Sequence, residues 1–302
     1  MISTQSKPLL LDTFLFYNEL DLLKARLEYL GDIVDYFVIS EANIDFSGKK
    51  KAFLLSDELV FTFPFSEKII YHREYIHLNS IEWLIKRLRY KNRKNRLLWK
   101  IQDAQRNSML KPLSRFKTSD IVIFSDLDEF PNEKALNEAI IILSKPDALK
   151  NQLRFSCDQL FFYYNIKNAA PEDQFYGSIF TNLGTLRKLL PHKLRSQKDS
   201  LAHIENGGWH FSYFMDEEKI LNKILAISDV ENLSQYKNLS KEEIGKKILL
   251  GLDLYDRQTK LSDQEQYELP QVVLNSLKKY LPNCVWVFVV SSHIDDFAEI
   301  GQ

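Results

Sequence analysis

The first forty residues change hydrophobic period twice. "PLLLDTFLFY" (Pro8–Tyr17) is a nearly continuous apolar run, the pattern of a strand covered on both faces. "NELDLLKARLEYLG" then shifts to helical spacing, with Leu20, Leu23, Leu27 and Leu30 on one stripe. Asn18 stands where a cap belongs, Asp21 follows three positions on, and Gly31 ends the run. "VDYFVIS" (Val34–Ser40) is a second buried strand. Strand, helix and strand within about forty residues predict a βαβ unit and a parallel sheet.

Beyond a polar loop, "NIDFSGKKKAF", the short run "KIIYH" (Lys68–His72) predicts another strand. Ser80 to Lys111 contains neither Gly nor Pro and reads as one or two helices. "DIVIF" is the next core strand. The β-rich segments "LRFSCDQLFFYYN", "SIFTNLGTLRKL" and "GGWHFSYF" follow it. "DEEKILNKILAIS", "SKEEIGKKILLGLDLYDR" and "PQVVLNSLKKY" return to helical spacing. Neither an internal repeat nor a linker interrupts the chain, so one α/β domain with a helical C-terminal extension is expected.

Composition narrows the function classes. With 45% hydrophobic and 27% charged residues in 302, the chain has the make-up of an ordinary globular protein with a sizeable core. A net charge of -1 gives no global attraction to nucleic acid, and none is expected as a partner. Cys157 and Cys284 are too few and too far apart for a disulfide framework, which favours a reducing, cytoplasmic setting. "MISTQSKPLLLDTFLF" has the pattern neither of a signal peptide nor of a membrane span.

The chemistry concentrates in "DIVIFSDLDEFP" (Asp120–Pro131), where a strand delivers Asp126, Asp128 and Glu129 to one place. Like charges so close raise one another's pKa, a cost that a cation can offset. Ligands of open α/β sheets bind beyond the carboxyl ends of strands. Two carboxylates there suit Mg²⁺ or Mn²⁺ shared with substrate phosphates. Alternatively, the run is an acidic turn capping the next helix. Arg106, in "QDAQRNSML", either forks onto a diphosphate or nucleobase, or pairs with Asp103. Glu41, closing "VISEAN", either accepts from ribose hydroxyls or caps its loop. In "GGWHFSYF", Gly207 and Gly208 permit a tight turn or a close ligand approach. His210 there matters only if it folds back on the acids; otherwise it is a core residue. Lys86 to Lys100 holds eight Lys or Arg and no acid, interleaved with Trp83, Leu84, Leu88 and Trp99. That run makes either peripheral contact with an anionic membrane, at the inner surface for a cytoplasmic protein, or an ordinary solvated helix face.

Taken in order, "DTFLFYNELDLLKARLEYLGDIVDYFVISEANIDFSGKKKAF", "AQRN", "DIVIFSDLDEFP" and "GWHFSYF" resemble glycosyltransferase family seventeen, over about Asp12–Asp253. That family includes the β-1,4-mannosyl-glycoprotein β-1,4-N-acetylglucosaminyltransferases. The resemblance implies a GT-A-like fold, with a mixed, mainly parallel central sheet flanked by helices. It implies a nucleotide-sugar-binding part over about residues 8–131, with an acceptor part and C-terminal helices over about 132–302. The implied activity is inverting, metal-dependent transfer of a sugar, N-acetylglucosamine first, from a UDP-sugar to a glycan or lipid-linked saccharide.

By the same resemblance Asp126 and Asp128 are the D-x-D acids, and Glu129 is the acid after them. Arg106, Glu41 and Gly48 match the preceding helix, the second strand and its loop. Trp209 and His210 match the G-W-H block, so that Asp126, Asp128 and His210 would hold Mn²⁺ or Mg²⁺. Glu41, Arg106, Asp126 and Trp209 would hold the UDP-sugar. Glu218 matches a later acid. An inverting displacement needs a base opposite the leaving nucleotide; the Asp216–Glu217–Glu218 cluster is the candidate, with Glu218 first because the resemblance favours it, and Asp158 and Glu205 are alternatives by position. Animal members carry an N-terminal Golgi anchor, a pattern not seen in this chain's opening residues, so a Golgi N-glycan is not the acceptor expected here. Two rival readings are a haloacid-dehalogenase-like phosphatase and a membrane-surface binding protein with a structural cation site.

Overall fold

The structure, a computed structural model, describes residues 7–77, 94–226, 236, 238–257, 261 and 268–285. The first apolar run forms β1 (Leu10–Leu15), the leucine stripe forms α1 (Leu20–Leu30), and the second run forms β2 (Tyr36–Ala42). The N-cap position of α1 is Glu19 rather than Asn18, no side chain caps the helix, and the Glu19 carboxylate accepts from the Asn18 backbone N–H at 3.0 Å. A one-turn helix α2 (Asp57–Phe61) leads to β3 (Ile69–Glu74). The predicted long helical region contributes α3 (Lys94–Ser108). The Lys86–Arg93 part of the basic run lies outside the described residues.

Strand β4 (Ile121–Asp126) and a three-residue β5 (Glu129–Pro131) flank the acidic turn, and α4 (Glu133–Leu143) follows. The other strands are β6 (Arg154–Tyr163), β7 (Ala169–Ala170), β8 (Tyr176–Asn182) and β9 (His203–Ser212). Only the first part of "SIFTNLGTLRKL" is strand. After Asn182 the chain turns into α5 (Leu183–Leu189) and α6 (Pro191–Ser196), the second opened by a proline that is pre-set for a first helical position. The C-terminal helices are α7 (Glu217–Ala226), α8 (Lys241–Leu249), α9 (Gln271–Tyr280) and the one-turn α10 (Pro282–Val285).

One nine-stranded sheet runs through the molecule in the order β3-β2-β1-β4-β8-β6-β9-β5, with β7 on β6. The β3-β2-β1-β4 half is parallel, as a βαβ unit requires. The expectation of a mainly parallel sheet fails in the other half. Pairs β4–β8, β6–β8, β5–β9 and β6–β7 are antiparallel, and only β6–β9 is parallel. The architecture is a mixed α/β sheet flanked by helices.

The main core lies on the α1 face, where Leu23, Leu27, Phe37, Phe130 and Phe211 pack together. Helix α9 packs along α1, and its Lys279 and Tyr280 both reach Glu28 at 3.0 Å. A second core on the opposite face joins Val38, Val122 and Ile179 to Met109, beyond the end of α3, and Leu194 of α6. Cys157 and Cys284 are both free and buried. Among the described residues, no helix is long and apolar enough to cross a membrane.

Candidate active site

The register β1–β4 pairs Leu15 with Asp126, so the two strands end side by side. Their exits open into a cleft of about 360 Å³, floored by the acidic turn and walled by α3, α6, α7 and the end of β9. The turn is held from below by Arg26 of α1, which is completely buried. Its guanidinium donates from Nε and Nη2 to the two Asp12 oxygens at 2.8 and 2.7 Å, and to Ser125 Oγ at 2.7 Å. Nη1 donates to the carbonyl oxygens of Leu127 and Glu129.

From the other side, β5 pairs with β9, matching Glu129 with His210 and Phe130 with Trp209. Because side chains alternate across a sheet, Glu129 and His210 share the cleft face, while Phe130 and Trp209 share the core face. The close approach that the glycine pair permits is therefore to protein backbone. Gly208 has φ +148°, and a Cβ there would lie 2.1 Å from the Phe130 carbonyl oxygen. In the β2–β3 connection Gly48 takes φ 81° and donates its N–H to the Asp45 carbonyl at 3.0 Å, closing the turn there.

Asp126 and Asp128 both line the cleft with distinct neighbours. Asp126 is the more open, its side chain 41% exposed against 12% for Asp128. Arg195 of α6 donates to Asp126 Oδ2 at 2.6 Å, and Arg106 Nη2 of α3 lies 3.9 Å from Oδ1. Burial would raise the Asp126 pKa, but Arg195 and then Arg106 hold it below its ordinary value. Asp128 meets Lys223 Nζ of α7 at 3.1 Å and His210 Nε2 at 3.4 Å. Burial opposes, yet Lys223 and His210 draw the Asp128 carboxyl well below the usual carboxylate range.

Glu129 lies at the floor of the cleft and is fully buried. Arg195 forks onto both its oxygens, and Glu129 Oε2 accepts from the Asp126 backbone N–H at 3.0 Å. It shapes the turn. His210 does fold back on the acids. Its ring stacks on Phe175, with centroids 4.1 Å apart and an interplanar angle of 13°, and its buried Nδ1 has no hydrogen-bond partner. Arg106 is 13% exposed, makes no ion pair with Asp103, and its buried Nε is also without a partner. Burial lowers its pKa.

Six other sequence-derived candidates lie elsewhere. Both Glu41 oxygens are engaged, accepting from the Tyr71 hydroxyl (2.7 Å), the Leu54 and Leu55 amides (2.8 and 3.2 Å) and Lys51. Glu41 is completely buried and anchors the β2–α2 connection. Trp209 packs edge-on to Tyr29 at 6.3 Å and borders a separate polar groove that includes Asp158. Asp216 caps α7 by accepting from the Lys219 N–H at 2.8 Å. Glu218 is 68% exposed and pairs with Lys241 at 2.9 Å, in an open groove that also includes Asp216. Glu205 is exposed on β9.

Three residues of the cleft carried no sequence signal of their own. Arg195 sits in "PHKLRS", where only the proline and Leu194 mark a helix. His192, in the same helix, is tied through its N–H and Nδ1 to Asn107 Oδ1 at 3.2 and 3.0 Å, so α6 and α3 deliver Arg195 and Arg106 together. Glu19 follows β1. Lys223 lies between Ile220 and Ile224, both buried, so helical period alone places it at the edge of the α7 buried face.

Among the described residues, no three His, Cys, Asp or Glu side chains converge as a ready-made metal cage. A cation that arrives with a diphosphate needs only one or two protein carboxylates, the remaining ligands being phosphate oxygens and water. The cleft-facing Asp126 and Asp128 oxygens fit that second kind of site, and the His210 imidazole is a possible nitrogen donor beside them.

The chain matches no curated protein. The model of glycosyltransferase family 17 matches residues 2–272, which takes in the acidic turn, Arg106, Arg195, His210 and Lys223. A family-sized match over most of the chain, with an acidic turn and buried guanidinium groups meeting at the ends of parallel strands, makes the protein a glycosyltransferase and a member of glycosyltransferase family 17.

Proposed function

We propose that the protein transfers a sugar, N-acetylglucosamine first among candidates, from a UDP-sugar to a hydroxyl of a glycan or lipid-linked saccharide, with inversion, on a GT-A-like scaffold. The observation that carries this reading is Arg106. Its guanidinium is largely buried against the cleft, its Nε is unpartnered, and its nearest carboxylate oxygen stands 3.9 Å away. Unspent charged donors in a buried setting are costly, and a diphosphate offers the oxygens to satisfy them.

In this reading Asp126 and Asp128 would hold Mn²⁺ or Mg²⁺ with His210 alongside, and the cation would supply Lewis acidity toward the departing phosphate. Arg106 binds and orients the diphosphate. Arg195 and Glu129 keep Asp126 in place, and Arg26 fixes the turn that carries both aspartates. The apolar wall formed by Phe16, Phe46 and Trp99 excludes water from one side of the cleft. Two buried free thiols are compatible with a cytoplasmic setting.

The test is calorimetry with a panel of nucleotide sugars plus Mn²⁺. One donor should bind, and Asp128→Ala should abolish cation-dependent hydrolysis or transfer; a panel with no binding at all ends the proposal. The base has its own test. Glu218 lies outside the cleft and pairs with Lys241, so Glu218→Gln should retain the parent's turnover. Donor binding kept with transfer lost would instead return Glu218 to the reaction.

A further inference from the structure

Lys223 reaches across three segments of the cleft. Its ammonium lies 2.9 Å from Glu19 Oε1, in the loop after β1, and 3.1 Å from Asp128 Oδ2, in the acidic turn. It also stands 5.3 Å from the centre of the Tyr213 ring, just beyond β9. Helix α7 aims it there from a fixed base. Asp216 caps the helix, Ile220 and Ile224 are buried, and Lys219 reaches Asp21 of α1 at 3.3 Å.

The cationic groups nearest the acidic turn, Arg195, Arg106 and Lys223, differ in how they are held. Arg195 is forked onto Glu129 and bonded to Asp126, so it is committed to the protein. Arg106 has donors to spare. Lys223 holds an oxygen of Asp128, one of the two aspartates to which the proposed function assigns the cation. An ammonium and a divalent cation at the same carboxylate repel each other, so each weakens the other's hold. A diphosphate removes that conflict, because its oxygens offer the ammonium a second partner while coordinating the metal.

Resting on that functional reading, we infer that Lys223 is a second diphosphate-binding side chain beside Arg106, and that it competes with the divalent metal for Asp128 until the nucleotide draws it away. The metal consequently binds weakly by itself and tightly with nucleotide. Glu19 is the positioning residue that keeps the ammonium at the cleft.

Two binding measurements test this without turnover: Mn²⁺ alone, followed by electron paramagnetic resonance, and UDP in the presence of Mn²⁺, followed by calorimetry. Loss of one buried charge contact is commonly worth a tenfold change or more, so Lys223→Met should bind Mn²⁺ alone about tenfold more tightly and UDP about tenfold more weakly. Lys223→Gln can still hydrogen-bond both carboxylates and should shift both affinities the same way if the methionine variant does not fold. Lys223→Arg, retaining the charge, should keep Mn²⁺ binding weak. If the parent binds UDP with Mn²⁺ but both neutral variants leave the two affinities unchanged, the role of Lys223 is overturned while the functional reading stands. If the parent binds no nucleotide, the functional reading falls instead.

Discussion

Arg26→Met is expected to cost about 3–5 kcal/mol of folding stability, the usual consequence of breaking one member of a buried ion pair. Arg26 and Asp12 are both completely inaccessible to solvent. The substitution strands the Asp12 carboxylate, and it also strands Ser125 Oγ and the Leu127 and Glu129 carbonyls that the same group satisfies. The Arg26 side chain also lies over the Phe14 and Phe130 rings, with its guanidinium carbon 4.9 and 5.4 Å from their centres. For a chain of this size the midpoint of thermal unfolding should fall by roughly 10 °C. Replacing the pair together, as Arg26→Met with Asp12→Leu, should recover only part of that loss. The apolar swap removes the stranded charge, but the carbonyls of the acidic turn still lack their donor. Unfolding midpoints equal to the parent's for the single variant would show that the pair contributes nothing.

The second large effect is on function. On the proposed function, Arg195→Lys should lower kcat/KM for the nucleotide sugar by about a hundredfold, the scale expected when a buried, hydrogen-bonded charge loses its partner. Arg195 joins Glu129 and Asp126 through a planar fork, and an ammonium on a flexible stem cannot reproduce the two parallel bonds. Burial disfavours the Arg195 charge, but Asp126 and Glu129 raise its pKa, so the guanidinium stays charged at every accessible pH. Because Arg195 acts through Asp126, one of the two aspartates to which the proposed function assigns the cation, the variant should also need more Mn²⁺ for half-maximal rate, a shift that simple loss of protein would not produce. Initial rates over donor and Mn²⁺ concentration, with circular dichroism to confirm folding, decide it. An unchanged Mn²⁺ requirement would make Arg195 a structural residue only.

The sequence exposed the parts of this site that lie on continuous apolar runs. "PLLLDTFLFY", "VDYFVIS" and "DIVIF" became neighbouring parallel strands, and the acids after the last of them do face the cleft. His210 was legible through its motif, and the structure brings it to Asp128. Arg195 and Lys223 were not, because their relevance depends on sheet order. Strand β8 inserts beside β4, and β9 lies beside β6, so helices distant in sequence close over the acidic turn. Glu41 shows the opposite difficulty. Its place at a strand's carboxyl edge suggested a ligand contact, but Lys51, Tyr71 and two backbone amides already saturate it. The same edge rule cannot say which carboxylates the fold has already used. "SIFTNLGTLRKL" combined strand and helix formers, and the change of period after Asn182 was too short to separate them.

The pairing of β5 with β9 has a consequence for how activity would fail. The acidic turn is stitched into the sheet on both sides: the Phe211 N–H donates to the Asp128 carbonyl at 2.8 Å, and the Asn132 N–H to that of Gly207 at 2.9 Å. A site on a free surface loop melts ahead of its scaffold, since loops open at low free-energy cost. Here the turn has no such independence. Its carboxylates keep their spacing for as long as the central strands stay registered, so warming or denaturant should leave the enzyme either competent or unfolded, with little range between.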